Sequence, residues 1–204
     1  NAAWFYNNDW SNFERCEEVE NRREWVLMDA NGPGAIVRWW ITGYKFNGMI
    51  RVYLDGSDKP VLEGKADQLI GGDLFLGEPL NAVRSRGRNL YLPIPYSRSC
   101  KITYDGPNTS ETNDFDDNFY YAINYRRYAE GTTVKTFSME DFEANKDLIS
   151  KVQRDLLMPQ ANYLTPSRSI GGDQKVLKTH EYIEKAFTGP GAIGRLRIRI
   201  RSEN

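Results

Sequence analysis

Apolar and polar positions alternate along most of this chain in short runs, with helical spacing in one place only. Residues 24–29 and 35–42 are two such runs, rich in aromatic and β-branched side chains and separated by turn residues 30–34. That composition between Gly and Pro predicts strands. Residues 49–54 alternate, with Ile50, Val52 and Leu54 on one face and Arg51 and Tyr53 on the other, before the turn signal Asp55-Gly56. Further extended runs are expected at 60–63, 89–96, 99–105 and 119–128, and residues 64–88 read as glycine-rich and irregular. Pro93 and Pro95 cannot donate to a ladder, so they belong at an edge or a bulge. Helical spacing appears over 138–157, where Phe142, Ile149, Val152 and Leu156 form a stripe behind a Ser138 cap, with Asp141 in the first turn and Pro159 as the stop. Short alternating strands with one inserted helix predict a mainly all-β antiparallel sandwich.

One stretch nearly recurs. Gly32-Pro33-Gly34-Ala35-Ile36-Val37-Arg38-Trp39-Trp40-Ile41 shares seven of ten positions with Gly189-Pro190-Gly191-Ala192-Ile193-Gly194-Arg195-Leu196-Arg197-Ile198, 157 residues later. That offset is too long for a solenoid and suits a duplicated β domain. Residues 195–201 alternate again, with Leu196, Ile198 and Ile200 expected inward and four Arg outward. The reading is a β-sandwich over 1–158, a linker rich in Pro, Ser and Gly over 159–178, and, over 179–204, the start of a second sandwich or a closing strand of the first.

Charge and composition narrow the chemistry. A formal net charge of −1 offers no global field for nucleic acid or an anionic membrane, and no apolar run approaches a membrane span. The chain opens at Asn1, which suggests a processed leader or a chosen boundary. Cys16 and Cys100 lie too far apart for a zinc motif and are expected as buried free thiols, with pairing in an oxidising compartment the alternative. A single histidine, His180, leaves no room for histidine-rich metal sites, and no Gly-x-Ser-x-Gly elbow or phosphate loop is present. Asp114, Asp116 and Asp117 lack the full calcium-loop pattern and read as a solvated loop, so neither metal nor cofactor is expected. Carboxylate chemistry remains, with Asp9, Glu63, Asp67, Asp73 and Glu78 in irregular segments or at strand ends, each also explained as a surface acid. Aromatic residues reach 13% of the chain, which suits a sheet core and equally a surface that stacks on sugar rings. Asn7-Asn8-Asp9-Trp10 pairs a carboxylate with a ring in this sense, or anchors the terminus.

Taken in order, Asn7-Asn8-Asp9-Trp10, the strand over 32–40, Ile50-Arg51-Val52-Tyr53-Leu54-Asp55-Gly56, Arg86-Gly87-Arg88-Asn89-Leu90-Tyr91-Leu92-Pro93-Ile94-Pro95-Tyr96 and Tyr120-Tyr121-Ala122-Ile123-Asn124-Tyr125 resemble the domain of unknown function 2961, now glycoside hydrolase family 172. The resemblance implies a jelly roll, tandem in full-length members, and assembly as trimers or hexamers of trimers. It also implies retaining hydrolysis of α-linked ketofuranosides or pentofuranosides, such as fructofuranose and D-arabinofuranose, near a subunit interface. By resemblance Asn7, Asp9 and Trp10 match the family's Asn-x-Asp-aromatic motif at the sugar site, and Arg38 and Trp40 match the polar and Trp positions of the Gly-Pro-Gly strand. The family's Gly-Glu-Gly-Asp-Asp and Gly-Thr-Glu-Asp stretches, which carry its catalytic glutamates, do not occur in this chain. No catalytic residue is therefore assigned, and Asp67-Gln68-Leu69 departs from the family pattern around Glu63. The expected function is a furanosidase-type glycoside hydrolase part, secreted or periplasmic, whose site a second domain or neighbouring subunit completes. A non-catalytic carbohydrate-binding or structural jelly roll is the alternative.

Overall fold

A computed structural model describes residues 13–43, 48–72, 74–106, 119–158, 172, 175–190, 193, 196 and 198–201. The chain divides into two compact units, Asn1–Leu157 and Met158–Asn204. The first is an antiparallel β-sandwich. Its strands are β1 (Arg15–Val19), β2 (Arg22–Asn31), β3 (Gly34–Gly43), β4 (Met49–Leu54), β5 (Leu62–Lys65), β6 (Asn81–Arg84), β7 (Gly87–Leu90), β8 (Ile94–Tyr96), β9 (Ser99–Asp105) and β10 (Phe119–Arg127). One sheet runs β1-β2-β9-β4-β5 and the other β10-β3-β7-β6, with β8 also on β3. The chain crosses between the sheets from β2 to β3, β3 to β4, β5 to β6, β8 to β9 and β9 to β10, and β9 returns between β2 and β4, the path of a jelly roll.

Alternation explains the core. Ile50, Val52 and Leu54 meet Ile36, Trp39, Ile41 and Leu90 between the sheets, as the period of the strands requires. Strict alternation would put Ile36 on the same face as Arg38 and Trp40. The structure avoids this with a bulge: Arg38 faces Asn124 on β10, Ile36 faces Tyr125, and Val37 is the extra residue. Ile36, Trp39 and Ile41 are consequently all buried, while Arg38 and Trp40 turn to the outer face. A register shift between Val26 and Met28 does the same for β2.

Several expectations need correction. The segment 64–88 is not irregular throughout, because it contains a short helix α1 (Ala66–Leu69) and the β6–β7 hairpin. That hairpin turns through Ser85 and Arg86 at φ 49° and 63°, without the Gly or Asn such a turn usually carries. The single helix is two, α2 (Met139–Ala144) and α3 (Lys146–Leu157). Ser138 caps the first as expected, accepting from the Asp141 N–H. The stripe does not survive the break at Asn145: Phe142 enters the core and Ile149 packs against it, but Val152 and Leu156 are exposed. The extended run 89–96 is interrupted at residues 91–93, and Pro95 sits in β8, where its carbonyl accepts from the Phe137 N–H at 2.9 Å. Cys100 is buried as expected, whereas Cys16 on β1 is exposed; both thiols are free.

In the second unit the described residues form no helix or strand. Lys178 and Glu181 close a turn, with the Glu181 N–H donating to the Lys178 carbonyl at 3.0 Å. Of the second Gly-Pro-Gly copy, Ile193, Leu196 and Ile198 are exposed, as is Ile200, so the inward face expected for residues 195–201 is absent from the described residues.

Candidate functional site

Each sheet turns one face away from the core, and both outer faces carry an arginine on an inner strand. On the β1-β2-β9-β4-β5 sheet that arginine is Arg51, paired across β4 with Thr103 and Glu63. Its Nε meets Glu63 Oε1 at 2.8 Å, and its Nη1 meets Asp105 Oδ2 at 3.2 Å and Glu24 Oε1 at 3.5 Å. Glu24 is 0% exposed. It accepts from Thr103 Oγ1 at 2.6 Å, Arg22 Nε at 2.7 Å and the Tyr53 hydroxyl at 3.0 Å. Burial alone raises its pKa, but the hydrogen bonds from Thr103, Arg22 and Tyr53 and the nearby Arg51 charge outweigh burial and hold it below the ordinary value. A carboxylate so ionised and enclosed is no proton donor near neutrality, and no substrate can reach it. Along the same face Lys101 pairs with Glu17 at 2.7 Å, and Arg15 with Asp29 at 2.5 Å. The face is a web of ion pairs that satisfies itself.

The opposite outer face is built differently. Ala122 on β10, Trp40 on β3 and Asn89 on β7 lie in one cross-strand row, and Asn124 faces Arg38 in the next. Arg38 and Trp40, two apart on β3, share the face. Arg38 Nη1 donates to Asn124 Oδ1 at 3.2 Å, and Nη2 reaches Asn89 Oδ1 at 3.4 Å. Asn89 is buried and donates to the Gly87 carbonyl at 3.3 Å. Gly87 is required here, because a Cβ would run into the Trp40 indole. Small neighbours, Gly87 and Ala122, thus flank a half-buried indole beside a guanidinium, an arrangement that offers stacking and directional donors to a ring bearing hydroxyls.

Of the expected sugar-site residues, Arg38 and Trp40 come together on this face. Asn7, Asp9 and Trp10 lie outside the described residues, as do Asp73, Asp114, Asp116 and Asp117. Glu63 is held by Arg51 on the other sheet and Glu78 by Arg84 at 2.8 Å, so these two acids are engaged by separate arginines. Asp67 lies on α1, its carbonyl accepting from Arg88 Nη1 at 2.8 Å, and His180 is exposed in the second unit. Sequence reasoning missed Asn89 and Asn124. Both stood inside motifs already singled out, and only the register of three strands shows that they converge on one guanidinium. Among the described residues no group of three or more His, Cys, Asp or Glu is placed to hold a metal ion, and no helix is long and apolar enough to cross a membrane.

No curated protein matches the chain. The sequence profile of the GH172 first beta-sandwich domain matches residues 1–145, a span that contains every strand of the sandwich. With the fold and this match in agreement, the chain belongs to the family of GH172 first beta-sandwich domains, the N-terminal sandwich of a glycoside hydrolase family.

Proposed function

We propose that this chain supplies the sugar-contacting part of a retaining furanosidase, acting on α-linked fructofuranosides or D-arabinofuranosides. The reading rests on the pairing of Arg38 with Trp40 on one open sheet face, the guanidinium held by two asparagines. In it Arg38 donates to ring hydroxyls, Trp40 stacks on the apolar sugar face, and Asn7, Asp9 and Trp10 complete the contacts. The catalytic carboxylates come from a second sandwich or from a neighbouring subunit of a homo-oligomer. Secretion or a periplasmic site fits hydrolysis of such glycans.

The test is hydrolysis of aryl α-fructofuranosides and aryl α-D-arabinofuranosides. Turnover is expected from the protein carrying its second sandwich and not from residues 1–204 alone. A full-length protein that leaves both substrates intact ends the enzymatic reading. The same Arg38–Trp40 face, with its donors and its ring, also fits a second reading, a carbohydrate-binding sandwich without catalysis. That reading predicts calorimetric sugar binding by residues 1–204 and no turnover in any context.

A further inference from the structure

Burial alternates over residues 90–94 even where the strand is interrupted. Leu90, Leu92 and Ile94 are buried in the core, and Tyr91 between them is 43% exposed. The alternation puts Tyr91 on the outer face, together with Asn89 two residues earlier. The Tyr91 N–H donates to the Leu80 carbonyl at 2.7 Å, one step past the Asn81–Leu90 pair, so the β6–β7 ladder fixes the backbone there. The register against β3 is equally definite. Asn89 pairs with Trp40 and Leu90 with Trp39, so the next step along β7 leads to the row of Arg38. Tyr91 is therefore the diagonal neighbour of Trp40 on one sheet face, and such positions on adjacent strands stand roughly 7–8 Å apart. Arg38 occupies the row of Tyr91, its guanidinium directed by Asn124 at 3.2 Å and Asn89 at 3.4 Å. The face thus presents a ring, a directional donor and a second ring. Each ring offers a plane to stack on, and the donor suits hydroxyls lying between them.

We infer that Tyr91 is a second stacking position beside that of Trp40, and that the site takes a linear furanoside of at least two residues. Arg38 donates to hydroxyls between the two rings. This rests on the sugar-site reading above and deepens it, since a single furanose is served by the Trp40 ring, whereas a chain of them uses both. The diagonal step between the two positions is comparable with one sugar residue and its linkage, so neighbouring residues of one glycan reach both rings.

The discriminating experiment titrates the 204-residue chain calorimetrically with single sugars and their linear dimers. The probes are the methyl α-furanosides of D-arabinose and D-fructose and the α-linked dimer of each. For the sugar that the site takes, the dimer is expected to bind about tenfold more tightly than the single residue, the worth of one added ring contact. Tyr91→Ala should bring that ratio near one. Tyr91→Phe should preserve it, because stacking needs the ring and not the hydroxyl. A merely structural tyrosine would change both affinities together and leave the ratio intact. Equal affinity of the unaltered chain for dimer and single sugar overturns the inference and leaves the sugar site standing. Binding of none of the probes overturns both. A ratio that survives Tyr91→Ala, or is lost in Tyr91→Phe, overturns the assignment to the Tyr91 ring.

Discussion

Arg51 and Arg38 sit on inner strands of the two sheets, each facing away from the core, yet their surroundings are opposite. Arg51 is almost fully covered and shared among Glu24, Glu63 and Asp105. Arg38 is half open and held by two neutral amides beside an indole. The contrast separates two uses of a polar sheet face. A buried carboxylate costs several kcal/mol of desolvation unless every lone pair finds a donor, so the Glu24 face is closed by its own network. An outer face that keeps its donors unspent and its aromatic ring flanked by Gly87 and Ala122 is arranged to meet something else.

The comparison breaks most sharply at Glu24. Glu24→Ala removes the anion that Arg22, Arg51, Tyr53 and Thr103 converge on, and truncating one partner of a buried charged network costs ~3–5 kcal/mol. Urea unfolding should show that loss, while sugar affinity per folded molecule stays unchanged because the Arg38 face is untouched. Equal loss of affinity would mean that the two faces are not independent.

Acid separates the faces next. Asp55, at the end of β4, accepts from the Arg98 and Ser99 N–H groups at 2.6 and 3.1 Å, from the Ser97 hydroxyl at 2.7 Å and from the Thr136 hydroxyl. Burial raises its pKa, but these bonds, Thr136 first, prevail and bring it from 3.8 down to about 2. A depressed carboxyl stabilises the fold above its unfolded value and loses that contribution as pH falls through its folded value. Stability of about 2 kcal/mol should therefore be present above pH ~4 and disappear towards pH ~2. Melting curves across that window check this, and Asp55→Asn should flatten the step.

The smallest effect sharpens the open face. Trp40→Ala should weaken sugar binding about tenfold, roughly 1.4 kcal/mol, with little change in urea midpoint because the indole is only half buried. A large loss of stability with unchanged affinity would assign Trp40 to packing instead.

Much of this protein is written in local pattern. The alternation of residues 49–54 is reproduced with Ile50, Val52 and Leu54 in the core, and Ser138 caps a helix as its position predicts. The sandwich follows from such runs because a strand's period of two commits one face to burial whatever its partners are. The Val37 bulge left no such mark, since an extra residue appears only when one strand is matched against another. The Ser85-Arg86 hairpin was equally hidden, its left-handed turn residues lacking the usual Gly or Asn. The helix stripe failed for a related reason: spacing specifies which residues share a face, whereas the break at Asn145 decided which of them meet the core. The sequence by itself determined most of the strands, the core face of residues 49–54 and the presence of Arg38 and Trp40 among the residues that matter. The tertiary structure decided that Asn89, from one neighbouring strand, and Asn124, from the other, meet on that arginine. Cross-strand register is a property of the assembled sheet, and no spacing along a single strand encodes it.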